Sequence, residues 1–206
     1  IYLSGNPVID AIKDCLSYIN NKRIRDKIDK SILKQINFKT NEFILLTLHR
    51  RENFGKPFEK ICANINRISG IYKNLRFIYP VHPNPYITKN ALRLFKKNKN
   101  VILIKPSNYF TFLRLMQLSK FIISDSGGIQ EECTIIDKYV LLVRNKTERP
   151  EIKDKLVFIA GSDYKKFAKY FKYFLSSSPK KRKFIRTFGD GYASNKIGKI
   201  ILKKCK

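Results

Sequence analysis

Nine consecutive residues, Ser124-Asp125-Ser126-Gly127-Gly128-Ile129-Gln130-Glu131-Glu132, combine the features of an anion site. A short apolar run precedes them and a helical pattern follows, so the two glycines fall at a helix start. There the backbone can approach a ligand closely, and free N–H groups, the helix dipole and the Ser126 hydroxyl all favour negative charge. A pyrophosphate suits Ser126, Gly127 and Gly128, while Glu132, one turn on, could accept hydrogen bonds from a ribose. An ordinary Ser/Asp N-cap, with Gln130 or Glu131 as capping-box partner, explains the same residues without a ligand.

Further candidates close other apolar runs. His49 ends the run at 43–48 and is followed by Arg50, Arg51 and Glu52. A lone histidine is often a satisfied strand-end group, but two adjacent arginines point to a phosphate contact. His82 holds the matching place after 77–81, in a loop stiffened by Pro83 and Pro85, and reads equally well as a loop cap. Arg149, within Thr147-Glu148-Arg149-Pro150-Glu151, offers a planar guanidinium for a phosphate or a sugar carboxamide, or for an ion pair with Glu148 or Glu151. Tyr109 and Phe112 open a helix after Pro106 and suit either a base platform or the core. No pair of carboxylates is arranged for acid/base work. Asp125 and Glu131 are candidates by position only, and Asp125 reads as a loop-fixing residue. No residue is assigned to catalysis, His49 being the one candidate, so the pattern describes a nucleotide-diphosphate site without complete catalytic machinery.

Such loops need strands and helices to hold them. Apolar runs at 43–48, 77–81, 101–104, 121–123, 139–143 and 157–159 have strand length. Helical periodicity separates them at 58–68, 91–95, 110–118, 129–136 and 167–175. Near-continuous apolar strands alternating with helices predict a parallel sheet covered on both faces. The fold class is therefore α/β, a doubly wound, Rossmann-like sheet of about six strands, with ligands outside the carboxyl ends of the strands. Ahead of it, Pro7 and the stripe Val8, Ile9, Ile12, Leu16, Ile19 predict a helix. Residues 22–39 read as a surface helix or connector with a weak stripe at Ile28, Ile32 and Ile36. The expected organisation is one domain over 1–206, with a helical lead-in at 1–40 and C-terminal helices at 179–206.

Composition narrows the function. The 206 residues carry 43 Lys+Arg against 16 Asp+Glu, a net charge of +27, yet 43% are hydrophobic, which argues for a packed core and against disorder. The lysines are spread along the chain, with mild concentrations at 95–99 and 179–183, and the aromatics follow no RNA-binding pattern, so nucleic acid is not the expected partner. No apolar run nears the roughly 18 residues of a membrane span, and no secretion signal opens the chain. Cys15, Cys62, Cys133 and Cys205 lie far apart, form no metal motif, and read as reduced, mostly buried thiols of a cytoplasmic protein. The chain begins at Ile1 and its only methionine is Met116, which reads as a piece of a longer polypeptide.

In order and spacing, Thr47-Leu48-His49-Arg50-Arg51-Glu52-Asn53-Phe54-Gly55, Tyr79-Pro80-Val81-His82-Pro83-Asn84-Pro85, Ser124 to Glu132 and Thr147 to Glu151 closely resemble the non-hydrolysing UDP-N-acetylglucosamine 2-epimerases. Ser4-Gly5-Asn6-Pro7-Val8-Ile9-Asp10-Ala11 resembles that family's Gly-Asn-Thr-Val-Ile-Asp-Ala segment, and Gly189-Asp190-Gly191 its C-terminal Gly-Asp-Gly motif. The resemblance implies the second domain of a two-domain, glycosyltransferase-B-like enzyme, with a separate N-terminal half and a homodimer as partners. It implies His49, Ser126, Gly127, Gly128 and Arg149 at the diphosphate, Glu132 at the ribose and Phe112 at the uracil, with Arg50 and His82 at a regulatory UDP-sugar. The implied reaction inverts C2 of UDP-N-acetylglucosamine by eliminating and re-adding UDP. It needs no metal or other cofactor, and its acid/base carboxylates belong to the first domain. The chain departs from the family pattern at Ser107 for glutamine, Cys133-Thr134 for Ala-Pro, Asp137 for glycine, Tyr139 for proline and Lys196 for arginine. The alternatives are a basic nucleic-acid-binding protein and the UDP-sugar-binding half of a glycosyltransferase.

Overall fold

A computed structural model describes residues 1–36, 43–177 and 186–204. The lysine cluster at 179–183 and Cys205 lie outside the described residues. The apolar runs form six strands, β1 (Phe43–Thr47), β2 (Arg76–Pro80), β3 (Val101–Ile104), β4 (Ile122–Ser124), β5 (Val140–Leu142) and β6 (Val157–Ile159). All pair in parallel, in the order β3-β2-β1-β4-β5-β6. Helices α1 (Pro7–Asn20), α2 (Lys22–Ile36), α3 (Lys56–Ile71), α4 (Pro85–Phe95), α5 (Tyr109–Leu118), α6 (Gly127–Ile136), α7 (Tyr164–Ser176) and α8 (Ala193–Lys204), with short 3-10 turns at Arg51–Asn53 and Pro150–Ile152, complete the described elements. The doubly wound α/β sheet expected from the apolar runs is the one observed.

The chain winds outward from β1 to the β3 edge, then returns through α5 to place β4 on the other side of β1. In register, Thr47 pairs with Ser124. Loops leaving β1 and β4 therefore start from adjacent strand ends where the winding of the sheet reverses, the place where α/β sheets bind ligands in a crevice. β1 is buried along its whole length, as helices on both faces require. Beneath the crevice the core is aromatic: Phe121 meets Phe171 edge-on at 5.1 Å, and Tyr139 stacks on Phe174 at 4.6 Å. Phe121 and Tyr139, read from sequence as strand residues, lie just before β4 and β5 and pack under α7.

Residues 22–36 are more than a connector. Ile32 and Ile36 of α2 are buried, and Arg114 of α5 clasps Asp29 through two hydrogen bonds of 2.7 and 2.8 Å. α1 starts where the Asn6 side chain accepts the Val8 N–H with Pro7 at the first position. The two motifs near the chain ends meet: the Asn6 N–H donates to Phe188 O at 2.8 Å, and a Cβ on Gly189 would lie 3.3 Å from the Gly5 Cα. Both glycines also hold positive φ, 93° and 137°, so glycine is needed for the close approach and for the backbone. Asp137, standing for a glycine, adopts the left-handed conformation (φ 55°, ψ 53°) that ends α6. Among the described residues no helix is long and apolar enough to cross a membrane.

Candidate functional site

Asp125 organises the crevice. Its side chain is fully buried and accepts the N–H of His49 (3.0 and 3.1 Å), the N–H of Arg50 (3.0 Å) and the Asn53 amide (3.0 Å). One carboxylate thus ties the β1 loop to the β4 loop, the fixing role expected of it. With all these donors directed at it, Asp125 is not available to shuttle protons.

The bound loops converge on the start of α6. Ser126 is its N-cap, yet its side chain makes no capping bond, so the capping-box alternative does not hold and the hydroxyl remains open. The first-turn N–H groups of a helix have no intrahelical acceptor and need another partner. Gly127 is where the neighbours press closest: a Cβ there would lie 3.2 Å from the Arg50 guanidinium and 3.8 Å from a Glu148 carboxylate oxygen. A side chain would crowd both groups away from the helix end. Gly128, by contrast, is exposed beside the Ser126 hydroxyl.

Charged groups around this helix end are held in place. Arg149 binds Glu131 at 2.5 Å, and Asn6 donates to the other Glu131 oxygen at 2.9 Å. The arginine's main partner is therefore Glu131, not the Glu148 or Glu151 expected from proximity in sequence; Glu148 lies 4.0 Å away. Arg144, which the sequence reading passed over, is buried and binds both Glu52 and Glu148. The Arg144 bond, with Arg50 and Arg149 nearby, holds the Glu148 carboxyl below its usual range. The Arg50 Nε and the Arg144 Nη1 are buried without a partner.

His49 and His82 stack with ring centroids 5.6 Å apart. Burial pushes His49 below its ordinary pKa; Asp125 opposes this, while His82 and Arg50 add to it. His49 is therefore neutral near pH 7 and able to donate from one ring nitrogen. His82 is exposed, and its Nδ1 accepts the Asn84 N–H at 3.1 Å, so the loop-cap reading describes what it does here.

Glu132 is buried on α6. Its Oε1 accepts the Tyr109 hydroxyl at 3.1 Å, whereas its Oε2 is buried with no partner. Burial raises its pKa, Glu131 adds to that, and the Tyr109 bond opposes it. Phe112, a turn beyond Tyr109, is partly buried against the core. Two pairings, Tyr109 with Glu132 and Asn6 with Glu131, escaped the sequence reading. Asn6 and Glu131 are 125 residues apart, and no local pattern links them.

A cleft of about 1140 Å³ lies elsewhere, between the chain start and the 186–192 segment, lined by Tyr2, Lys13, Phe188 and Tyr192. It holds none of the candidate loops. Among the described residues no group of His, Cys, Asp and Glu could hold a metal.

The family model for UDP-N-acetylglucosamine 2-epimerase matches residues 1–202. A putative UDP-N-acetylglucosamine 2-epimerase of Thermotoga maritima is 38% identical over 98% of this chain and 53% of its own length. The UDP-GlcNAc 2-epimerase of Neisseria meningitidis, solved with UDP-GlcNAc bound, superposes at a TM-score of 0.84 with 33% identity, over 98% of this chain and 55% of that one. That of Methanocaldococcus jannaschii, in complex with UDP-GlcNAc and UDP, gives 0.82 and 30% over 98% and 55%. The chain spans about half the length of the curated relatives it matches. With the model matched over nearly all of its residues, the chain belongs to the UDP-N-acetylglucosamine 2-epimerase family.

Proposed function

We propose that this chain is the UDP-binding, C-terminal half of a UDP-N-acetylglucosamine 2-epimerase, holding the nucleotide while the sugar is processed in a cleft shared with the other half. The observation that carries this is the buried, unpartnered Glu132 Oε2 on the same helix whose start, without a side-chain cap, lies against Arg50 and whose Glu131 holds Arg149. Anion donors at the helix end and an open acceptor beyond them match a diphosphate followed by a ribose diol. The structures of relatives with UDP-GlcNAc and UDP bound support the ligand class.

In this reading the Gly127 and Gly128 amides, the Ser126 hydroxyl, His49 and Arg149 stabilise the diphosphate, and Phe112 borders the base. Elimination develops negative charge on the departing UDP, and donors already in place act on that charge without reorganising. Neutral His49 would give a hydrogen bond to a phosphate oxygen. Arg50 lies against Gly127, so it would serve the same diphosphate, although the family likeness places it with His82 at a regulatory nucleotide. Removal and return of the C2 proton would fall to carboxylates of the other half. A paired N-terminal half, a homodimer, a cytoplasmic setting and a role in surface polysaccharide synthesis belong to the same proposal, supported by family likeness alone.

Calorimetry with UDP and with inorganic pyrophosphate tests it. Glu132→Gln should weaken UDP about tenfold, as loss of a charged hydrogen-bond acceptor implies, and leave pyrophosphate within about twofold. Equal losses for both ligands would remove Glu132 from the ribose.

A further inference from the structure

The Tyr109–Glu132 contact has a feature that packing does not require. The Tyr109 side chain reaches from the first residue of α5 to a carboxylate on α6 while its own residue stays 38% exposed. Its place is set by Asn108, which caps α5 by accepting the Thr111 N–H at 2.9 Å. The hydroxyl spends its donor on Glu132 Oε1 and leaves Oε2 buried and empty. A carboxylate that served only to join two helices would be expected to have both oxygens paired or one turned to water. Two residues before Tyr109, the Ser107 hydroxyl is also buried without a partner. Unsatisfied polar atoms thus stand on α6 and in the loop that leads into α5.

We propose that Tyr109 is the positioning residue for nucleoside recognition: its hydroxyl locks one oxygen of Glu132 so that the other is presented to the ribose diol. This rests on the ribose role of Glu132 proposed above. A carboxylate with a fixed torsion loses less freedom when it accepts the two ribose hydroxyls. The bond also favours ionised Glu132, the form that can accept both hydroxyls, against the burial that disfavours it. Glu131 is engaged by Arg149, Cys133 and Cys15 are pushed up by burial, and the Tyr109 phenol is pushed up by burial and by Glu132, so it stays a donor.

The test is Tyr109→Phe, which keeps the ring, titrated with UDP and with pyrophosphate across pH. UDP affinity should fall roughly tenfold, pyrophosphate affinity should hold, and the pH at which UDP binding is half lost should rise by about half a unit or more. In a Glu132→Gln background the same substitution should change UDP affinity by less than about twofold, because the two residues act as one unit. Equal weakening of both ligands, an unmoved pH profile, or full additivity with Glu132→Gln would overturn the proposal and leave Tyr109 a helix staple. If Glu132→Gln itself spares UDP, the ribose reading fails first and takes this proposal with it. If Glu132→Gln weakens UDP and Tyr109→Phe does not, only the positioning role is lost.

Discussion

Asp125 and Arg149 sit in adjacent loops, but only one of them was legible in the sequence. Asp125 follows a strand directly, where the backbone N–H groups of a neighbouring strand loop are within reach, so its fixing role can be read locally. Arg149 has carboxylates at both sides in sequence and chooses a third, Glu131, because the fold brings α6 beneath it. Charged partners within a few residues compete poorly with a nearly buried carboxylate that is also held by Asn6, since pairing is stronger where water is excluded. Asp137 was legible for a steric reason: a glycine position at a helix end implies positive φ, and aspartate tolerates it better than most residues. His49 yields a prediction at this scale. Burial holds its pKa below the ordinary value, and a bound anion favours the imidazolium, raising it again. Between those two values binding takes up a proton, so the affinity for pyrophosphate should rise as pH falls from the anion-bound value towards the free one. Calorimetry near pH 6 in buffers of different ionisation enthalpy should show proton uptake in the wild type that His49→Gln lacks. Identical uptake in both would place the histidine away from the anion.

At the level of elements, the six strands were readable because each is a short apolar run bounded by polar loops. Their ends were not, since Phe121 and Tyr139 are as apolar as the strands they precede and differ only in packing under α7. Nor did the weak stripe of α2 reveal that Arg114 would fasten it to α5. The chain ends are a clearer case of long-range design. Asp10 of α1 accepts the N–H groups of Ala193 at 3.1 Å and Ser194 at 2.7 Å, so the cap of α8 comes from a residue 183 positions earlier. Slight burial works against the charge, but the bonds from Ser194 and Ala193 hold the Asp10 carboxyl below its usual value. A depressed carboxylate stabilises above its unfolded value, about 3.9, and that contribution fades as pH falls through the folded one. Asp10→Ala should therefore loosen α8 at neutral pH by about 1 kcal/mol, as loss of a helix cap does. Hydrogen exchange should speed in α8 and stay unchanged in β1. An α8 exchanging at the wild-type rate would mean that the Gly5–Gly189 contact alone secures it.

At the scale of the whole molecule, the described carboxylates of the crevice are mostly engaged in holding its loops and helices together. Around the crevice Asp125 is saturated by loop donors, Glu131 is held by Arg149 and Asn6, Glu52 and Glu148 are bound to Arg144, and Glu132 is tied on one side to Tyr109. Apart from the Glu132 Oε2, which the proposal assigns to the ribose, none of these stands free to take a proton from a sugar carbon, and general acid–base help of that kind is worth about 10²–10⁴-fold per group. The net charge of +27 fits an anionic ligand without specifying one. The direct measurement is one NMR sample of the 206-residue chain with UDP-N-acetylglucosamine in deuterated water, irradiated on protein methyl resonances and followed over time. Saturation should pass to the uracil and ribose protons more than to the sugar ring, and the C2 proton should keep its intensity. Saturation centred on the N-acetylglucosamine ring, or deuterium entering C2 faster than in a His49→Ala control, would contradict the proposal that this chain recognises the nucleotide without performing the chemistry.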